Sequence, residues 1–166
     1  MALRNKCQSD KIKNFVLRQA LTSDSADILE WRNDRDSRSA SIDQKKISQS
    51  DHERWFCQVL KGGEKLCFIG ENTDGKIGIV RFEAVGKKVW EVSINLNPKF
   101  RHLGWGEFLL GEAGRYFLNM DSSPRILRAT VKDENFASRR IFEKCGYIFD
   151  RKSGRNLFFQ YVGKRG

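Results

Sequence analysis

The chain has 166 residues, 39% of them hydrophobic and 31% charged, a balance that suits one globular domain with a core of its own rather than a disordered segment. No apolar run approaches the roughly 20 residues of a membrane-spanning helix, and the opening MALRNKCQSDKIKNF lacks the apolar stretch of a secretory signal, so the expected setting is cytoplasmic, with no membrane partner. Thirty-one basic residues against 21 acidic leave a net charge of +10, a field that draws anions, although no block of Lys or Arg forms a nucleic-acid arm and nucleic acid is not expected as a partner.

Residues 1–13 are polar and charged and read as a flexible leader, with a single domain over 14–166. Phe15 to Ala20 has the composition of a first strand. Ser23 or Asp24 then caps a helix carrying Ile28, Leu29 and Trp31, which fades in the charged run Asn33-Asp34-Arg35-Asp36. Residues 36–47 show neither helical nor strand period and read as a loop. Ser50 with Glu53 fits a capping box for a second helix bearing Trp55, Phe56, Val59 and Leu60, ended by Gly62-Gly63. Strands follow at Leu66 to Gly70, Lys76 to Val85 and Val89 to Leu96, joined by an Asp74-Gly75 hairpin signal and a turn at Gly86-Lys87-Lys88. A helix with Leu109, Leu110, Ala113, Tyr116 and Phe117 at helical spacing comes after Asn97-Pro98 and the segment RHLGWG. Then come a strand at Ile126 to Val131, a helix at Asn135 to Cys145 closed by Gly146, and strands at Tyr147 to Asp150 and Leu157 to Val162 around Ser153-Gly154. This order predicts a mixed sheet with helices on its faces, α/β or α+β. Cys7, Cys57, Cys67 and Cys145 contain no Cys-x-x-Cys pair, so reduced thiols are expected and neither a zinc site nor a disulfide scaffold.

The chemistry is concentrated where the strand Val89 to Leu96 runs through a short loop into the next helix. Gly104 and Gly106 remove side chains there, the helix start presents amides and the positive end of its dipole, and Arg101 adds a guanidinium, which together suit a phosphate. For the two glycines alone, a tight strand-to-helix turn is the simpler reading. No Gly-Lys-Ser/Thr follows, so the segment is not a Walker loop, and Gly-x-Gly alone is not the dinucleotide fingerprint. It resembles motif A of the GNAT N-acetyltransferases, Arg/Gln-x-x-Gly-x-Gly/Ala, through Arg101, Gly104 and Gly106. Val131 to Tyr147 resembles the family's motif B through Val131, Asn135, Ser138, Phe142-Glu143-Lys144 and Gly146-Tyr147.

The resemblance spans about Phe15 to Val162. It implies a mixed, mostly antiparallel sheet of about seven strands flanked by about four helices, with acetyl-CoA as donor, CoA as product and no metal. It also implies a pyrophosphate on the amides of Arg101, His102, Leu103, Gly104, Trp105 and Gly106, and a pantetheine arm pairing like an extra strand with Ile94, Asn95 and Leu96. Asn135, Ser138 and Phe142 complete that site, and Asn135 also suits a helix cap. Glu91 matches the family's strand glutamate that acts as base. If strand alternation holds, Glu91, Ser93 and Asn95 share one face; a solvated strand carboxylate is the alternative for Glu91. Phe142 stands where the family's usual proton-donating Tyr sits, so the acid is left unassigned among water with the helix dipole, Ser138 and Tyr161.

Trp31-Arg32-Asn33, Arg38, His52 and Trp55, together with Glu-Val-Ser-Ile-Asn, are similar to a subgroup in bacterial amino-sugar biosynthesis, the pseudaminic acid pathway acetyltransferases of UDP-linked sugars. The resemblance implies a small-molecule amine acceptor, with Arg32 and Arg38 on a diphosphate and tryptophans stacking a base or sugar. The plain alternatives are that Trp31 and Trp55 are core, His52 lies near a helix start, and the arginines are surface charges. Acetylation of a protein or ribosomal-protein N-terminus, and a CoA- or nucleic-acid-binding module without catalysis, are the competing functions; a homodimer is left open.

Overall fold

The computed structural model describes residues 14–120, 123 and 125–162; the expected leader at 1–13 lies outside them. Seven strands, β1 (Val16–Gln19), β2 (Lys65–Asn72), β3 (Gly75–Ala84), β4 (Val89–Leu96), β5 (Ile126–Lys132), β6 (Ile148–Ser153) and β7 (Asn156–Val162), form one sheet in the order β1-β2-β3-β4-β5-β7-β6. Every pairing is antiparallel except β4 with β5. Among the described residues the helices are α1 (Ser25–Asn33), α2 (Arg35–Ala40), α3 (Gln49–Lys61), α4 (Trp105–Leu118) and α5 (Phe136–Lys144).

Alternation along the strands sends side chains into two cores. Phe68, Val80, Phe82 and Val92 pack with Leu109, Leu110, Ala113 and Phe117 of α4 and Phe142 of α5; the Phe82 and Phe117 rings stack at 4.1 Å. On the other face, Cys67, Ile69 and Ile79 pack with Ile28 and Trp31 of α1 and Phe56 and Val59 of α3. Burial pushes the Cys67 thiol up to about 12, so it serves there as a small hydrophobe.

Three local expectations change. The first part of residues 36–47, read as a loop, belongs to helix α2, Arg35–Ala40. Asp34 caps it, its Oδ2 accepting from the Asp36 and Ser37 amides at 3.1 Å each. Arg-Asp-Ser-Arg-Ser-Ala has no apolar stripe, so periodicity misses a helix that a cap and long-range contacts hold. Helix α3 starts at Gln49, and its cap is Ser48, accepting from the Asp51 amide at 3.1 Å, not the expected Ser50 with Glu53. Asp24 occupies the N-cap position of α1 without a side-chain cap bond; its carboxylate accepts instead from the Leu21 amide at 2.8 Å and from Arg18.

The parting of β4 from β5 positions the site. They pair only at Val89↔Ile126, Trp90↔Leu127 and Glu91↔Arg128. Beyond Glu91 the two strands separate, leaving a V whose apex is the Glu91 rung. β4 stays paired with β3 as far as Leu96 and β5 with β7 as far as Lys132, so the V is open on a rigid frame. Its inner strand edges have no partner in each other, the condition under which an extended ligand adds main-chain hydrogen bonds.

Candidate active site

β4 ends at Leu96, and Asn97 makes the corner. Its Oδ1 accepts from the Lys99 amide at 3.1 Å and its Nδ2 donates to the Lys76 carbonyl at 2.8 Å. A 3-10 turn at Pro98–Phe100 leads to a loop with left-handed backbone at His102 (φ 61°) and Gly104 (φ 74°), where α4 begins. Gly104 has no side chain to cap the helix, and His102, Leu103 and Gly104 are exposed. The positive end of a 14-residue helix thus faces the mouth of the V behind a bare turn. Gly106 is glycine for a different reason: a Cβ there would lie 2.6 Å from Ile141 Cδ1 and 3.4 Å from Leu96 Cδ1, so it lets α4 close onto α5 and β4. Trp105 is buried among Phe15, Phe100 and Phe108; only its backbone belongs to the turn.

We expect Gly104→Val to weaken CoA binding and to cost about 1–2 kcal/mol of stability, since a β-branched residue is strained in left-handed backbone. Gly104→Asn, which tolerates that region, should melt close to the parent. A valine variant that keeps full CoA affinity by titration would remove this turn from the donor seat.

The sheet residues split as alternation requires. Ile94 and Leu96 pack toward α4 and α5, while Glu91, Ser93 and Asn95 face the α1–α3 side. Glu91 Oε2 accepts from Arg128 Nε at 2.9 Å and Oε1 from Thr130 Oγ1 at 2.5 Å. Ser93 Oγ accepts from Arg81 Nε at 2.8 Å. Asn95 Oδ1 accepts from Ser37 Oγ at 2.9 Å.

Arg101 departs from its expected role. Its Nη2 lies 2.7 Å from Asp34 Oδ2 and donates to Ser37 Oγ at 2.8 Å, with Asp36 3.6 Å from Nη1. The guanidinium is committed to α2, so the side chain expected on a phosphate is engaged within the fold. Burial alone would raise the Asp34 pKa; the Ser37 amide and Arg101 outweigh it, and the carboxyl is held below its usual range. Helix α2 is also tied from the far arm of the V. Lys132 Nζ donates to the Ser39 carbonyl at 2.8 Å, and Asn135 Nδ2 to the Ala40 carbonyl at 3.1 Å. The motif A loop, β4, β5 and the start of α5 therefore all hold this one short helix. Asp34, Ser37 and Lys132 are residues that sequence reasoning missed; the only local signal was the capping potential of Asp34.

Asn135 Oδ1 caps α5 through the Ser138 amide at 3.0 Å, so its side chain already has partners at both ends. Phe142 is 3% exposed and meets Tyr147 edge-on at 4.9 Å; it is a core residue, not a wall of the donor site. Tyr161 packs at 5.5 Å from Tyr147.

The acceptor candidates divide. Trp31, 4% exposed, lies in the second core and is no stacking platform. His52 is buried, stacked on Phe56 at 5.6 Å, with Nε2 3.0 Å from Ser25 Oγ; burial lowers its pKa, so it stands neutral at pH 7. Asn33 clamps the 41–48 loop, its Nδ2 donating to the Ile47 carbonyl at 2.9 Å and its Oδ1 accepting from the Ile47 amide at 2.8 Å. Trp55 is half-buried at the rim of that core. Arg32 and Arg38, also half-buried, bond backbone carbonyls: Arg32 to Asp43 at 2.7 Å, Arg38 to Asn33 at 3.2 Å.

A comparison with protein families matches residues 14–148 to the acetyltransferase (GNAT) domain. No curated protein matches the sequence. Among solved structures, the chain is similar to the spermidine N-acetyltransferase of Vibrio cholerae in complex with CoA and spermine (TM-score 0.76, 17% identity, 89% of this chain and 94% of that one). It is similar to a domain from Methanocaldococcus jannaschii (0.75, 15%, 89% and 97%). It is also similar to the Campylobacter jejuni N-acetyltransferase PseH in complex with acetyl coenzyme A (0.69, 16%, 90% and 99%). At these identities the likeness is one of fold. No helix among the described residues is long and apolar enough to cross a membrane.

Proposed function

The chain belongs to the GNAT acetyltransferase family, and from that premise we propose that it transfers the acetyl group of acetyl-CoA to the amine of a nucleotide-linked amino sugar. The observation that carries the donor half is the V between β4 and β5, open from Glu91 outward and facing the Gly104-led start of α4. The free edge of Val92–Leu96 suits the amides and carbonyls of a pantetheine arm, and the bare turn suits its pyrophosphate. Acetyl-CoA, when bound, supplies the acyl group activated as a thioester.

The chain's own residues handle the amine. An ammonium has no lone pair, so a proton must leave before attack. Glu91, fixed at the apex by Arg128 and Thr130, has lone pairs left to take that proton directly or through a water. The half-buried basic wall of Arg32 and Arg38 favours an acceptor with anionic groups over a polyamine, and PseH is among the structures of similar fold.

Thiol release from acetyl-CoA tests the reading with three acceptors: a UDP-linked amino sugar, spermidine and a peptide with a free N-terminus. We expect release with the sugar alone. Release with spermidine or peptide and none with the sugar would replace the acceptor. CoA binding with no release from any amine, together with salt-sensitive RNA binding, would replace the enzyme with a binding module.

A further inference from the structure

Arg81 has no place in the reading above, yet it projects from β3 on the sheet face that carries Glu91 and Ser93. Its Nε is fixed on Ser93 Oγ at 2.8 Å, and its Cζ lies 5.5 Å from the centre of the Trp55 ring. On α1, Arg32 spends only Nη2 on the Asp43 carbonyl, while Nη1 is shielded from solvent with no acceptor among the described residues. Arg38 bonds backbone carbonyls alone. None of the three is in an ion pair with a carboxylate among the described residues. Burial first, then the charge of Arg81, lowers the Arg32 pKa; Asp43 opposes this and Arg38 adds to it, so these charges feel one another.

Half-buried guanidiniums without an ion pair among the described residues, one carrying a hidden N–H with no acceptor, form an arrangement that folded chains seldom leave unanswered. A dianion with several acceptor oxygens answers both the charge and the missing bond; a single carboxylate neutralises only one of the cations.

We propose that Arg81, together with Arg32 and Arg38, seats the diphosphate of the acceptor, and that Arg81 is the residue that selects phosphorylated amines and rejects polyamines. This deepens the amino-sugar reading and rests on it. A polycation brought to this wall meets like charges, a penalty that excludes it by repulsion as well as by missing contacts.

Calorimetric titration of the full chain with UDP, in the presence of CoA, tests the seat without needing turnover. The parent should bind UDP, pyrophosphate should displace it and glutarate should not. Arg81→Gln should weaken UDP binding tenfold or more, Arg81→Lys should recover part of that loss, and CoA affinity should stay at the parent value in both. Lys88→Gln removes one positive charge from an exposed turn and should leave UDP binding unchanged, which separates a seat from overall charge. No UDP binding by the parent, displacement by glutarate, equal affinity in Arg81→Gln, or an equal loss in Lys88→Gln each overturns the proposal. If UDP binds as expected but no amine is acetylated, the transferase reading fails while the diphosphate seat stands. If amines are acetylated without UDP binding, the seat fails and the transferase stands.

Discussion

Glu91→Gln is expected to lower turnover at neutral pH on the order of 10²-fold or more, the range for losing a positioned general base, with acetyl-CoA affinity unchanged. The two effects separate because of where Glu91 sits. It closes the last shared rung of β4 and β5, while the unpaired donor-side edge begins one residue later. Its side chain points to the α1–α3 face, opposite Ile94 and Leu96. Glutamine keeps the shape and an oxygen for Thr130, so the V should survive. The lost ion pair with Arg128 is partly exposed, 26% on the glutamate and 33% on the arginine, and pairs of that kind contribute about 1 kcal/mol or less. What glutamine cannot do is take a proton. The pH dependence of turnover should therefore change along with the rate. A variant with an unaltered profile would free Glu91 from the chemistry and leave it as a strut for Arg128 and Thr130.

The largest stability loss is expected at a residue far from the V. Asp24 is 0% exposed. Its carboxylate accepts from Arg18 at 2.7 and 3.0 Å and from the Leu21 amide at 2.8 Å, with Lys76 Nζ 2.8 Å away. One side chain thus joins β1, the entry to α1 and β3. Asp24→Ala leaves two cations facing a hole, and breaking a buried pair from one side costs about 3–5 kcal/mol. Glu71 on Arg18 and Asp27 on Lys76, at 2.9 and 2.6 Å, soften the loss without replacing the buried acceptor.

The pH dependence has a definite sign. Burial would raise the Asp24 pKa, but the bonds from Arg18, Leu21 and Lys76 outweigh it, so the folded pKa lies below the unfolded one. The unfolded chain then binds the proton first as pH falls. The contribution is complete above the unfolded value of about 3.9 and is lost progressively below it. Urea midpoints measured from pH 7 downward should show the parent losing stability across that acid range and Asp24→Ala losing less. An alanine variant within about 1 kcal/mol of the parent at pH 7 would mean that the network is ornamental.

What was legible in the sequence was whatever the chain encodes over a turn or a strand. The alternation that puts Glu91, Ser93 and Asn95 on one face follows from the strand period, and the turn at Gly104 from a residue that accepts left-handed backbone. The cap at Asn135 follows from a side chain three residues from the amide it bonds. Helix α2 escaped because its six residues carry no apolar stripe, and the Ser50 cap failed because Ser48 offers the same chemistry two residues earlier.

Side chains that act across the fold were not legible. Arg101 reads as a phosphate ligand in any local window; its partner Asp34 is 67 residues away in sequence and reaches it only once α2 has folded over the V. Trp31 and Phe142 carry the same residue types whether they line a cleft or fill a core, and the sheet's packing decided for the core. The sequence by itself determined the order of the strands and of the apolar helices and the left-handed turn that opens α4, because backbone geometry and helix termini are properties of neighbours along the chain. Which side chains answer which charges only the tertiary structure decided, because a guanidinium's partner is set by what the fold brings within about 3 Å of it.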